Sequence, residues 1–346
     1  MEVNKIRGGD KRIAYLDYAR VFAALLVIYG HVLPYDSNIR TFIYAFHMPF
    51  FFIVSGMLHK YRGCIDWKKY FRTLIVPAIF FNLLLWIVTT PFFYYGNWDY
   101  EARYHSPIAD SLMKTYFESA IIGLKAIVMG RGGAPSGPCW FLFALFFCKI
   151  GTDMCKKYSW KIMLVPFLAL FVACTLTRYN FFCIGNAMMA MPFFISGHYL
   201  GKHLNEYIEK AGTGFKVCMA LVFFILTVLL ICLNGKVSMW GRSYGTAPVP
   251  VNFALFHINA IIGSVMLLLL SSLFKMSSTL FTSLAGSLIT ILGLQVLFIY
   301  VLWYDYPALT TPIPGLIMSV VILFACHIIH KLLQRFIPCV VGKQSK

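Results

Sequence analysis

Residues 15–31 read YLDYARVFAALLVIYGH, and after a short turn residues 41–59 read TFIYAFHMPFFFIVSGMLH. Both are apolar runs of membrane-spanning length, since roughly 18–25 such residues cross a bilayer as a helix. Yet they contain Asp17, Arg20, His31 and His47. An ionisable side chain inside a span is costly and marks a functional site by default. At about 100° per residue, Arg20 and His31 face the same way, about 16 Å apart along the helix axis. The expectation is that this helix lines a passage, with a cation deep in the bilayer and a base near one mouth.

Working outward, the 346 residues are 60% hydrophobic and 12% charged, with a mean hydropathy of +0.74. Soluble domains carry about 25% charged residues, so the chain reads as an all-α, polytopic membrane bundle. One transmembrane domain over residues 1–346 is expected, with a basic head at 1–13 and a basic tail at 334–346. The first apolar run is long and no small-residue cleavage site follows it, so no cleavable signal peptide is expected. The ten cysteines lie mostly in apolar runs without CxxC or a Cys/His ligand spacing. They read as small buried hydrophobes, and no metal site is expected.

Ten spans are expected, at about 14–34, 41–59, 70–95, 138–153, 161–178, 184–201, 214–234, 251–274, 283–303 and 313–333. With the head inside, 21 of the 30 Lys and Arg fall in inner segments and eight in outer ones. Cytoplasmic loops carry an excess of Lys and Arg, so this bias places both termini in the cytoplasm. The net charge of +17 is therefore a topology signal rather than a sign of nucleic-acid binding. The longest loop, 96–137, falls outside; it contains WDYEARYHSP and ends in GRGGAPSGP. Long loops in compact proteins are often lids or binding loops. The outer loop 235–250 sets Arg242 beside Trp240 and Tyr244, which suits a sugar or an anionic head group; an interfacial aromatic belt accounts for the same residues. MPFFFIVSG at 48–56 is echoed by MPFFISG at 191–197, but the spacing differs by two residues and does not define a repeat.

Each candidate has two readings. Arg20 either snorkels to the inner interface or anchors an anionic or carbonyl-bearing group. Asp17 either pairs with Arg20 or favours the helix start. His31 is either an interfacial histidine or a base, or acyl carrier, for a hydroxyl. His47 orients His31 or is a satisfied buried histidine. Lys69 and Arg72, in KKYFRTLIVP (68–77), either grip phosphates of a cytoplasmic donor or are ordinary inner charge. Walker A, GxSxG and DxD patterns are absent, against an ATP-driven pump, the usual serine hydrolase and a DxD glycosyltransferase. A proton-coupled transporter or flippase for an anionic or sugar-linked substrate fits the same intramembrane Arg and His.

LDYARVFAALLVIYGH resembles the first-span signature of the membrane-bound acyltransferase 3 family, an Arg, ten residues, then His. AFHMPFFFIVSG resembles its second span, KKYFRTLIVP the basic segment after it, CWFLFALFF (139–147) the tryptophan-bearing fourth span, and SLAGSLITILGLQ (283–295) a late span. The resemblance covers nearly the whole chain and is nearest to O-acetyltransferase-like members without a fused esterase-like domain. It implies acetyl transfer from cytoplasmic acetyl-CoA to a hydroxyl of a cell-surface carbohydrate or lipid-linked glycan, at the bacterial inner membrane. His31 is then the catalytic residue and Arg20 its motif partner. Lys69 and Arg72 stand where the family binds acyl-CoA, with Asp17, His47, Ser55 and Trp140 in support. Acetyl-CoA enters as a substrate, with no further cofactor. Where members often carry a histidine, this chain has Gln295.

Overall fold

The computed structural model describes residues 13–130, 137–177 and 180–342. The head 1–12, the tail 343–346, Arg131 and Arg178, all counted in the charge bias, lie outside the described residues, as does most of GRGGAPSGP. Within the described residues the regular elements are helical, apart from one isolated bridge between Ser238 and Ser243. The helices are α1 (Ala14–Val32), α2 (Asn38–Tyr44), α3 (His47–Met57), α4 (Trp67–Tyr70), α5 (Val76–Tyr95), α6 (Tyr100–Tyr104), α7 (Leu112–Val128) and α8 (Trp140–Tyr158). They continue with α9 (Trp160–Thr177), α10 (Ile184–Lys210), α11 (Thr213–Asn234), α12 (Val251–Ser271), α13 (Thr279–Ala285), α14 (Leu288–Asp305) and α15 (Pro312–Phe336).

By length and composition, eight helical stretches among the described residues are long and apolar enough to cross a membrane. The apolar part of α9 is shorter, and α1 is diluted by Asp17, Arg20 and His31. With these two, the helices fall at the positions of the ten expected spans, of which eight meet the length and apolarity of a crossing. The ends shift in places. α10 runs on to Lys210, and the ninth expected span is split into α13 and α14. On α11, Leu221, Ile225, Leu229 and Leu233 form an exposed stripe. Lipid tails are as apolar as leucine, so such a face needs no protein partner in a bilayer.

α1 is the hub. It packs against α2, α3, α12, α13, α14 and α15. Ala19, Ala23 and Ala24 are buried on it, and small residues let membrane helices approach closely. Polar side chains tie its ends to distant segments. Tyr15 Oη donates to Asn205 Oδ1 at 2.8 Å, Tyr18 Oη to the Met276 carbonyl at 3.0 Å and Tyr29 Oη to the Pro312 carbonyl at 2.9 Å.

The long loop 96–137 holds α6 and α7. The polarity of α7 is inverted relative to a soluble helix. Thr115, Ser119 and Gly123 are buried while Met113, Phe117, Ile121 and Leu124 are exposed. The small face rests on α5, where Trp86 Nε1 donates to Ser119 Oγ at 3.0 Å and Tyr116 Oη donates to the Ile87 carbonyl at 2.9 Å.

The two echoing stretches turn out to be partners. α3 lies on α10, and Gly56 sits against the Phe194 carbonyl while Gly197 sits against the Ile53 carbonyl. Each glycine admits the other helix's backbone. The sequence echo is thus the signature of a reciprocal close crossing rather than of a repeated unit.

Candidate functional site

Of the cavities among the described residues, two lie toward opposite ends of α3, called outer and inner after the sidedness that the Lys and Arg bias leads one to expect. The outer one holds about 340 Å³ and is walled by α1, α2, α3, α14, the 235–240 loop and the start of α8. That is within the usual range for a small-ligand site, about 300–1,000 Å³. His31, His47 and Trp140 line it.

The break at Ala45–Phe46 between α2 and α3 sets Tyr44 against both His31 and His47, with Arg40 behind Tyr44. Tyr44 ends α2, and its ring lies on Gly30, where a Cβ would stand 3.1 Å from the ring carbon Cε2. Tyr44 Oη and His31 Nδ1 are 3.1 Å apart, and the Arg40 guanidinium donates to Tyr44 Oη at 3.1 Å. Arg40 also donates to the Leu33 carbonyl at 2.9 Å and lies 3.9 Å over the Tyr35 ring. Arg40 was expected among the outer loop charges; it is buried. Its three contacts replace the water it has lost.

His47 begins α3, and its Nδ1 donates to the Ile43 carbonyl at 2.8 Å. The neutral imidazole therefore carries its lone pair on Nε2. The Tyr44 ring touches both histidines, with centroids 5.8 Å from His31 and 4.8 Å from His47. When His31 Nδ1–H donates to Tyr44 Oη, His31 Nε2 is likewise left unprotonated and able to take a proton.

The inner cavity, about 300 Å³, lies among the 58–73 segment, α3 and α8. Among the described residues, Lys60, Arg62, Lys69 and Lys149 line it, with Asp66 as the one lining carboxylate. Ser55 lines it too. Asp66 caps α4 by accepting from the Lys69 backbone N–H at 3.2 Å. Behind the cavity is a fully buried carboxylate, Asp153. It accepts from His59 Nε2 at 2.8 Å and from Tyr70 Oη at 2.7 Å. Lys149, one turn earlier on α8, holds its ammonium 5.4 Å from the Tyr70 ring centroid.

Two expectations need correction. Arg20 is among the described lining residues of neither the outer nor the inner cavity, so neither cavity brings it together with His31. It pairs with Asp17, whose other oxygen accepts from Thr282 Oγ1 of α13 at 3.1 Å. The two share a helix face, but three turns separate them, and the ion pair holds Arg20 at the inner end. Arg72 is exposed and outside the inner cavity, whereas Lys69 is in it. Arg242 and Tyr244 line a separate cavity of about 360 Å³ with Phe171, Cys174 and Gly185, where Arg242 donates to the Cys174 carbonyl at 2.8 Å, while Trp240, Lys236 and Arg103 line the outer cavity. Gln295 is buried on α14, and neither of its amide atoms has a partner among the described residues.

A family profile described as an acyltransferase domain matches residues 13–331. No curated protein and no solved structure gives a significant match to the chain.

Proposed function

Because the chain belongs to the acyltransferase 3 family, we propose that this membrane acyltransferase is an O-acetyltransferase of the bacterial inner membrane. It takes acetyl from cytoplasmic acetyl-CoA and delivers it to a hydroxyl of a cell-surface carbohydrate or its lipid-linked precursor. The observation that carries this reading is the His31 imidazole, opening on an outer cavity and held from behind by Tyr44 and Arg40.

The inner cavity receives the donor. Acetyl-CoA is polyanionic, and four lining cations against one carboxylate suit its phosphates. The outer cavity receives the acceptor, with aromatic walls for a sugar ring. Eight residues of α3 separate His47, at the outer cavity, from Ser55, at the inner one. That is about 12 Å of helix for the thioester arm to cross. His31 Nε2 takes the hydroxyl proton as the oxygen attacks the thioester carbonyl. The C–S bond breaks, and the thiolate leaves with CoA toward the inner side. Alternatively the acetyl passes first to His31 and then to the hydroxyl. Arg20 fits a positioning role: with Asp17 it fastens the inner end of α1 to α13.

Membrane vesicles given labelled acetyl-CoA should move label into saccharide. A transporter would move none, and that result would end the enzymatic reading.

Tyr44→Phe is expected to lower kcat about 10- to 100-fold, matching the about 1–3 kcal/mol lost when a buried polar group is left without its partner. The ring still rests on Gly30, so the protein should accumulate and melt as the parent does. A fall in folded protein with unchanged kcat would assign Tyr44 to structure alone. At the inner mouth, Lys69→Gln and Lys149→Gln should each raise KM for acetyl-CoA roughly tenfold, the size of one charge-assisted contact. Their kcat should stay near the parent value, and steady-state kinetics at varied acetyl-CoA checks both. An unchanged KM in both variants would move the donor site elsewhere.

A further inference from the structure

The outer cavity carries more positive charge than a neutral sugar requires. Arg40, Arg103 and Lys236 line it, and none of its described lining residues is Asp or Glu. They arrive from three separate places: α2, the short helix α6 and the loop after α11. Arg40 is committed to the Tyr44 and Leu33 contacts near His31. Arg103 and Lys236 line the same cavity from other elements. Lys236 is exposed, with Nζ 3.1 Å from the Tyr35 carbonyl, and the Arg103 guanidinium lies 5.5 Å from the Tyr300 ring centroid.

Resting on the function proposed above, we infer that the acceptor is an anionic saccharide. Its carboxylate or phosphate group sits between Arg103 and Lys236, while its ring lies against the tryptophans. Stacking alone would serve a neutral sugar, and Trp140, Trp240 and Trp303 all line the cavity. Cations of one sign in a partly enclosed, low-dielectric cleft focus the field and concentrate a counter-charged ligand. The chemistry has the same demand. A proton taken by His31 adds a positive charge two hydrogen bonds from Arg40, and an anion on the acceptor offsets it. The carboxylate of a sugar acid and the phosphate of a lipid-linked sugar both satisfy this requirement.

Titration of the purified full-length protein in nanodiscs, read by tryptophan fluorescence, tests it. The probes are methyl β-D-glucuronide, glucose 1-phosphate and methyl β-D-glucoside. At least one anion is expected to bind about tenfold tighter than the neutral glucoside, as one charge-assisted hydrogen bond provides. Which anion binds tighter distinguishes carboxylate from phosphate. The advantage should shrink with added salt. It should vanish in the Arg103→Gln/Lys236→Gln double variant and weaken in Lys236→Gln, an exposed site where folding is not at risk. Equal affinity for all three probes, no saturable anion binding, or an advantage that survives the double variant overturns the inference. Acetyl transfer to native glycan without anion preference condemns this inference alone. Anion preference without acetyl transfer condemns the enzymatic reading alone.

Discussion

Replacing His31 by alanine is expected to lower acetyl transfer by about 10²- to 10⁴-fold, the contribution of a well-placed acid–base side chain. The folded protein should be little affected. His31 sits one residue from the end of α1 and faces a cavity, so truncation enlarges an open space rather than a packed core. Acetyl-CoA binding at the inner mouth should also persist, because no residue lines both cavities. The double variant His31→Ala/Tyr44→Phe should be no slower than His31→Ala. Once the imidazole is gone, the tyrosine has nothing left to hold, and residues acting as a unit are not additive. Rapid quenching with labelled acetyl-CoA and no acceptor separates the two chemistries: label on the peptide bearing His31 indicates a carrier, and none indicates a base. Transfer at the parent rate in His31→Ala would remove the histidine from the reaction.

His31 and His47 were legible in the sequence for a simple physical reason, whereas Trp140 was marked only by the family resemblance. Charge-bearing or bulky polar groups inside apolar runs stand out against the pattern that carries the fold. Lys69 was legible as one of a basic pair beside a span. What stayed hidden depends on three-dimensional closure. Asp153 reads as an ordinary charge near the inner end of a span until folding sets it against His59, 94 positions away in the chain. Arg40 reads as an outer loop charge because the α2–α3 break that buries it spans only two residues. α7 escaped because its polar and apolar faces answer to lipid rather than water, so the usual inward stripe is inverted. Arg20 misled because sharing a helix face does not mean sharing a cavity when three turns of helix separate the two side chains.

The α3–α10 crossing supports the second large prediction. Gly197→Val and Gly56→Val are each expected to abolish the folded protein. A Cβ at Gly56 would fall on the Phe194 carbonyl, and one at Gly197 on the Ile53 carbonyl. Both obstacles are helix backbone, so no flexible side chain can swing aside, and the helices must separate. Ordinary overpacking of a core costs about 1–3 kcal/mol. Parting two helices also opens the contacts of Ile53, Phe193 and Phe194, all buried here, so the cost should exceed that range. The site would fail with the fold, since His47 starts α3 on the outer cavity and His59 follows its inner end. Alanine at either position carries the same first clash and should leave a small, heat-labile fraction. Gly214→Ala is the control: it begins α11 with nothing within 4 Å of a Cβ and should melt at or above the parent temperature, because alanine favours a helix over glycine by about 1 kcal/mol. Size-exclusion profiles and melting curves of the solubilised proteins decide the matter. A Gly197→Val protein that elutes as a single peak and melts with the parent would mean that the two helices do not cross at these glycines.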